Sequence, residues 1–262
     1  MIIKKNLLAI ANKIYTVNPE SGFYEIYNTE NWSSTTAAAM IILTNKIYLT
    51  TSYGNLWEIS LNDDGAVRRV GDGGWNECKA LIQVKYLETL ENKLFSFCRK
   101  LWLIDQKVGS YIDFSDGSSD DWSGVNAATS IDDKIYCTTS NNLWCIDTSR
   151  NYKPEKVGND DNWSNCKALV NVKDMLLAFC ESLWEVDLDD GECRLFFDKE
   201  KESNDDNSKR TWFDVKSTAV IDTKVYLVSG SQLLELDTIK KEVREVSNED
   251  WSTTRALITV NI

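Results

Sequence analysis

A tryptophan recurs six times along the chain, four times between small polar residues, and this is the pattern best suited to binding chemistry. Asn or Asp precedes the indole and Ser follows it in four of the six copies. An indole offers an apolar ring, and its neighbours offer hydrogen bonds to hydroxyls, so the pattern suits a sugar. The alternative is structural: the indoles pack between repeats, and the Asn and Asp side chains cap turns. The candidate ligand-binding residues are Trp32, Trp75, Trp122, Trp163, Trp212, Trp251, Asn31, Asp121, Asn162 and Asp250.

Three basic residues hold one position in alternate copies of the repeat: Lys79, Lys167 and Arg255. Lys216 holds that position in a fourth copy, and neutral residues hold it in the other two. If the repeats surround an axis, these cations converge at the mouth of a central channel, where they suit a carboxylate, sulfate or phosphate group. The alternative is that each cation pairs with a neighbouring acidic side chain.

The seven cysteines match no C-x-x-C metal motif. Cys78 and Cys166 are equivalent in the repeat, as are Cys98 and Cys180, so we expect two adjacent pairs. Such pairs form disulfides in an exported protein and remain buried thiols in a reducing compartment, which is the interpretation we favour.

Acidic residues also occur in pairs, but their spacing does not suit calcium. The segment 187–192, D-L-D-D-G-E, is the nearest approach to a calcium loop, and a hairpin turn explains it. We therefore predict no metal and no cofactor. The acidic pairs lie at 63–64, 120–121, 160–161, 189–190 and 205–206.

The absence of histidine removes the largest number of function classes. It excludes Ser-His-Asp and Cys-His catalysis and imidazole-ligated metals, although an enzyme using carboxylates or Tyr remains open. The formal net charge of −12 argues against nucleic acid as a partner. Hydrophobic residues make up 42% of the chain, which predicts a globular protein, and no apolar run is long enough for a membrane span.

The elements that position these residues are predicted from the repeat itself. Successive repeat tryptophans are 39 to 49 residues apart, and each interval contains four short runs rich in β-branched and aromatic residues. Asn, Asp, Gly and Ser separate the runs, as in K-I-Y-L-T-T-S (46–52) followed by N-L-W-E-I-S (55–60). Each unit is therefore a four-stranded antiparallel sheet, and radial repetition of such sheets makes a β-propeller.

The two chain ends predict six blades within a single domain, 1–262. The segment 14–32 aligns without a gap with 233–251, so three N-terminal strands complete the blade that the strand after Trp251 begins. Alternate blades resemble each other most, which predicts pseudo-threefold symmetry of two-blade units. The start M-I-I-K-K-N-L-L-A-I-A looks like a short signal peptide, but it aligns inside a blade, which favours a cytoplasmic location or leaderless secretion.

The pattern resembles six-bladed propeller proteins and is similar in architecture to the kelch, tectonin and lectin-type propellers. The Gly-His and Trp-Asp pairs of WD repeats are missing, and the kelch double glycine occurs once, at Gly73-Gly74. Propeller lectins show a similar recurring Trp beside Ser, Asn or Asp near the blade tips. The resemblance covers the whole chain as architecture and matches no specific family.

From these observations we predict a non-catalytic, multivalent binding protein with lectin-like carbohydrate recognition at repeated rim sites. The first alternative is a protein–protein interaction scaffold that uses the acidic rim and the polar segment 199–210. The second is an enzyme with carboxylates or Tyr in its channel. The expected partners are glycans or a protein.

Overall fold

The fold is an all-β propeller of six blades, as the repeat predicts. The computed structural model describes residues 5–63, 65–86, 91–115, 120–149, 153–158, 162–197 and 212–261. Within these ranges, every blade is a four-stranded antiparallel meander. Short 3-10 helices lie at Ile42–Thr44 and Trp122–Gly124.

The strands are numbered in chain order. Blade 1 contains β4 (Thr35–Ile41), β5 (Lys46–Thr51), β6 (Leu56–Ser60) and β7 (Ala66–Val70); blade 2 contains β8 (Ala80–Lys85), β9 (Asn92–Phe97), β10 (Leu101–Ile104) and β11 (Tyr111–Asp113); blade 3 contains β12 (Ala127–Ile131), β13 (Lys134–Thr138), β14 (Leu143–Asp147) and β15 (Pro154–Val157); blade 4 contains β16 (Ala168–Val172), β17 (Met175–Phe179), β18 (Leu183–Val186) and β19 (Cys193–Leu195); blade 5 contains β20 (Val215–Ile221), β21 (Lys224–Ser229), β22 (Gln232–Asp237) and β23 (Glu242–Ser247); blade 6 contains β24 (Ala256–Asn261), β1 (Lys5–Ile10), β2 (Ile14–Val17) and β3 (Tyr24–Asn28).

Burial follows the position of each strand in its blade. The second strands are buried on both faces, as in β5, because each blade packs between two others. The outer strands, such as β3 and β7, are mostly exposed. The hydrophobic clusters accordingly bridge neighbouring blades: one joins Phe179 of blade 4 to Leu227 of blade 5. The core therefore lies between the sheets.

The outer hairpins turn as their Asn or Asp residues predict. In the turn after β10, Asp105 accepts a hydrogen bond from the Lys107 amide at 2.8 Å, and Gly109 has a φ of 74°. A Cβ at Gly109 would lie 2.5 Å from the Gly71 nitrogen, so this turn needs glycine both for its dihedral and for its close contact with blade 1.

The ring closes through one C-terminal and three N-terminal strands. Strand β24 pairs antiparallel with β1 in a six-residue register, from Lys5 opposite Asn261 to Ile10 opposite Ala256. This confirms the predicted strand exchange and leaves neither strand as an open edge inside the ring. The six innermost strands, β4, β8, β12, β16, β20 and β24, contact one another in sequence around a central channel.

Candidate functional site

The six repeat tryptophans are buried between blades, each with 1–5% of its surface exposed. The Trp122 ring, for example, packs edge-on against Phe97 of blade 2 and Trp144 of blade 3. Such contacts match the packing alternative, since a buried indole presents little surface to a sugar. A ligand-binding role for Trp32, Trp75, Trp122, Trp163, Trp212 and Trp251 stays a prediction.

The polar residues before four of these tryptophans cap local turns. Asp121 Oδ1 accepts from the Ser123 amide at 2.9 Å, and Asp250 Oδ1 accepts from the Ser252 amide at 2.8 Å. Those amides hold the pKa of both carboxyls below the usual range. Asn31 and Asn162 accept from Ser33 and Ser164 in the same way, each at 3.1 Å.

The predicted cations do converge at one place. Lys79, Lys167, Lys216 and Arg255 come from four blades and line a single cavity of about 710 Å³ at the start of the inner strands. Among the described residues that line it, none is acidic. We call this cavity the channel mouth. All four side chains are exposed and face a space where their charges reinforce one another.

Backbone hydrogen bonds set the position of these cations. The backbone amides of three of them each donate at 2.7 Å to the carbonyl of the last residue in the second strand of the same blade. This bond places the three side chains equivalently in alternate blades. The three pairs are Lys79 with Phe97, Lys167 with Phe179 and Arg255 with Ile10.

The channel-mouth cations differ in how they are held. Lys216 Nζ donates to the Gly230 and Ser252 carbonyls at 2.9 and 2.8 Å, which fixes it between two loops. Across the described part of the chain, Lys79, Lys167 and Arg255 have no carboxylate within 4.0 Å. The local ion pairs offered as an alternative are therefore not seen there, and the three charges face the cavity.

Deeper in the channel the walls become neutral. A second cavity of about 810 Å³ is lined by small and aliphatic side chains and by Gln83, Ser130 and Thr259. Ser130 Oγ donates to the Gln83 carbonyl at 2.6 Å, and Thr259 Oγ1 donates to the Val220 carbonyl at 2.7 Å, so these groups tie neighbouring blades together. In the described ranges, neither cavity is lined by an acidic residue or a Tyr for the enzyme alternative.

The equivalent cysteines are adjacent, as expected, and all seven cysteines are free thiols. Ser96 Oγ lies 3.0 Å from Cys78 Sγ and 3.4 Å from Cys98 Sγ, which links that pair. Burial raises the pKa of Cys78, whereas the hydrogen bond from Cys78 lowers the pKa of Cys98. Cys166 and Cys180 are hydrogen-bonded directly to each other.

No group of three metal-ligating side chains occurs among the residues that the structure describes. The acidic pairs at 63–64 and 160–161 lie partly or wholly outside them, and 205–206 and the segment 199–210 lie entirely outside. No helix in the described part of the chain is long and apolar enough to cross a membrane.

Two buried carboxylates were not anticipated from the sequence. Glu58 is 3% exposed and is bonded by Tyr48 at 2.5 Å, by Lys46 at 2.9 Å and by Arg68 at 2.7 and 2.8 Å. Glu235 in blade 5 repeats this arrangement. A signal was present, because K-x-Y in a second strand recurs with Glu in the third and Arg in the fourth.

A pocket beside Trp251 was not anticipated either. Its volume is about 450 Å³, part of which is open to solvent, and it is lined by Ala11, Tyr15, Tyr24, Glu249, Asp250, Trp251, Thr253 and Thr254. We call it the Trp251 pocket. It contains two of the predicted ligand-binding residues, Trp251 and Asp250.

Comparison with known structures identifies the fold alone. The nidogen propeller from a nidogen–laminin complex superposes with a TM-score of 0.73 at 9% identity, covering 98% of both chains. Virginiamycin B lyase from Staphylococcus aureus superposes with a TM-score of 0.55 at 13% identity, covering 93% of this chain and 73% of the lyase. PorZ of Porphyromonas gingivalis gives 0.60 at 12% identity, covering 99% of this chain and 33% of PorZ.

Neither the profiles of known protein families nor the sequences of curated proteins match this chain. The likenesses are therefore to propellers of diverse activity, and none points to carbohydrate in particular. The propeller fold is consistent with a protein-interaction scaffold. Since one fold hosts many functions, the site has to carry the functional argument.

Proposed function

We propose that this propeller is a non-catalytic binding protein that holds an acidic segment of a protein partner at the channel mouth. The observation that carries the proposal is the convergence of four cations from four blades on one cavity whose described lining has no carboxylate. A carboxylate group entering there meets Lys79, Lys167 and Arg255 without displacing an ion pair seen in the described chain.

The charge of the whole chain supports local recognition. Because the formal net charge is −12, most of the surface repels an acidic partner, and the channel mouth is a local exception. Such a contrast orients an approaching acidic segment and disfavours other docking positions. The nidogen propeller was solved in a complex with laminin, which supports a protein as the partner class for this chain.

The test is a calorimetric titration with a hexaglutamate peptide at low and high salt. Replacing Lys79, Lys167 and Arg255 together by Gln is expected to weaken binding roughly tenfold or more, since each exposed charge contributes up to about 1 kcal/mol. Binding to the unmodified protein is expected to weaken with added salt.

Lys85→Gln is the matched control for Lys79→Gln. Lys85 is exposed at the far end of β8, the strand that Lys79 directly precedes, so its loss removes one charge without touching the channel mouth. Equal weakening by Lys85→Gln and Lys79→Gln would contradict the proposal, as would binding of the peptide to the triple variant with unchanged affinity. Inorganic phosphate in a parallel titration tells whether a small anion suffices.

Lectin-like recognition is the second candidate, and the Trp251 pocket is the observation in its favour. A glycan array followed by titration tests it: saturable binding of a sugar supports the lectin, and no binding contradicts it. Trp122→Ala tests the wider Trp ring. We expect it to destabilise the fold by about 3–5 kcal/mol through a cavity between blades, while any sugar binding survives.

A further inference from the structure

The Trp251 pocket has aromatic walls set at right angles. The Tyr24 ring meets the Tyr15 ring at 79° with centroids 5.7 Å apart, and it meets the Trp251 ring at 74° with centroids 5.5 Å apart. Tyr24 is 38% exposed, so one wall of this corner is open to a ligand. Aromatic faces carry partial negative charge and attract cations.

Carboxylates stand beside these rings. Glu249 and Asp250 are exposed and line the pocket, and no basic residue is among its described lining residues. Neither carboxylate has a Lys or Arg nitrogen within 4.0 Å in the described ranges. The Ser252 amide, and to a smaller extent the charge of Lys216, lower the pKa of Asp250 and keep it ionised at neutral pH.

A buried hydroxyl gives a second indication of a ligand. Thr254 lines the pocket and is only 2% exposed, yet its Oγ1 has no hydrogen-bond partner within the described structure. Buried hydroxyls are normally satisfied, because an unmade hydrogen bond at such a site costs about 1–3 kcal/mol. A water ordered beside a ligand in the pocket would satisfy it.

Blades 2 and 4, which resemble blade 6 most in sequence, each lack part of this combination. Thr254 and Ala11 stand where blade 2 has Cys78 and Cys98, and where blade 4 has its own thiol pair. The smaller pair leaves space at the blade 6 junction. At the blade 2 junction, Gly73 and Gly74 replace the two carboxylates.

We infer that the Trp251 pocket binds the ammonium group of an organic cation, held by the aromatic corner and by Glu249 and Asp250. A sugar has no charge to match the two carboxylates, whereas an alkylammonium group matches both the rings and the acids. We expect one cation in this pocket, and therefore a stoichiometry of one to one. The inference is independent of the channel-mouth proposal, because the Trp251 pocket and the channel mouth share no lining residue, and it competes with the lectin candidate for the same pocket.

The probe is tetramethylammonium chloride, titrated against sodium chloride at equal ionic strength. The readout is the Trp251 indole N–H resonance, assigned with Trp251→Phe, and a saturable shift with one site is expected. Asp250→Asn combined with Glu249→Gln is expected to weaken binding roughly fivefold. The turn survives this change, because Asn31 and Asn162 cap the equivalent turns.

Two further variants test whether binding occurs at the Trp251 pocket. Asp121→Asn alters the equivalent cap in the Trp122 turn and is expected to leave tetramethylammonium binding unchanged. Ala11→Cys introduces the residue that blades 2 and 4 have at the equivalent positions, Cys98 and Cys180. The variant is therefore expected to fold, and its larger side chain is expected to narrow the pocket and weaken binding.

The inference is overturned if no saturable shift occurs, or if the Asp250→Asn, Glu249→Gln protein binds with unchanged affinity. It is also overturned if a neutral sugar from the array shifts the Trp251 resonance while tetramethylammonium does not. The triple channel-mouth variant is expected to retain tetramethylammonium binding, so failure here and failure of the proposed function give different results.

Discussion

At the scale of single residues, Glu58 and Glu235 are the most tightly held charges described in the chain. Burial alone opposes ionisation, but hydrogen bonds from Arg68, Lys46 and Tyr48 outweigh it and hold the pKa of Glu58 at about 2. Arg68 also donates to the Gln106 carbonyl in blade 2 at 3.2 Å. The cluster around Glu58 therefore joins strands within blade 1 and fastens blade 1 to blade 2.

Glu58→Gln is expected to lower the free energy of unfolding at pH 7 by about 2–4 kcal/mol, because Arg68 and Lys46 lose a buried counter-charge. The stabilisation that Glu58 provides also depends on pH and decreases in acid. The folded pKa of about 2 lies below the ordinary value of 4.5, so the stabilisation is present above pH 4.5 and is lost as the pH falls toward 2. Urea unfolding at pH 7 and pH 3 measures both effects.

Glu185→Gln is the control for this prediction. Glu185 lies on the third strand of blade 4 opposite Arg194, as Glu58 lies opposite Arg68, but it is exposed. Its replacement is expected to change stability by less than about 0.5 kcal/mol. If both substitutions cost the same, burial of the Glu58 cluster is not what stabilises the fold.

At the scale of elements, blades 1, 3 and 5 share a strand register but differ in the side chains at equivalent positions. Tyr136 of β13 lies opposite Cys145 of β14, and Cys145 lies opposite Glu155 of β15. These are the positions of Tyr, Glu and Arg in blades 1 and 5. Blade 3 thus keeps Lys134 and Tyr136 but lacks the carboxylate and its guanidinium.

Exchanging both residues is expected to rebuild the missing cluster. Cys145→Glu alone places a partly buried carboxylate opposite Glu155 and is expected to destabilise blade 3, whereas adding Glu155→Arg recovers part of the loss. We expect a coupling energy of about 1–2 kcal/mol between the two sites in a double-mutant cycle measured by urea unfolding. Additive effects would show that cross-strand register alone does not make the cluster.

At the scale of the whole molecule, closure of the ring depends on one strand pair far apart in sequence. Strand β24 supplies Ile258 and Val260 to a cluster that also contains Leu8 of β1 and Trp32. Without β24, the edge of β1 and this cluster are open to solvent. The stability of blade 6 is thus a property of the closed ring.

Removing residues 256–262 is expected to abolish the cooperative unfolding transition, measured by circular dichroism during urea titration. A synthetic peptide of residues 249–262 is expected to restore it in a concentration-dependent way, because binding then supplies the missing strand. A matched peptide carrying Ile258→Asp is the control, since that side chain is buried in the native ring. A truncated protein that unfolds as sharply as the full chain would contradict a role for closure.

Much of the architecture follows from local sequence patterns. The short runs of β-branched and aromatic residues, as in β5 and β6, the Asx turns and the spacing of the tryptophans are short-range features, so they predicted the blades and their number. The positions of Lys79, Lys167 and Arg255 at one mouth also followed, because equivalent repeat positions come together around an axis. The Glu58 cluster and the Trp251 pocket did not, since each depends on side chains brought together across strands or from both ends of the chain.

The sequence by itself determined six blades, their closure and the classes of chemistry that a chain without histidine cannot perform. Only the tertiary structure decided which recurring residues are buried and which line a cavity. The repeat tryptophans are equivalent in sequence, and all six are buried between blades, while Ala11 and Thr254 line a pocket beside Trp251. The reason is physical: a repeat sets where a residue lies in its blade, whereas exposure and charge pairing depend on neighbours from other blades.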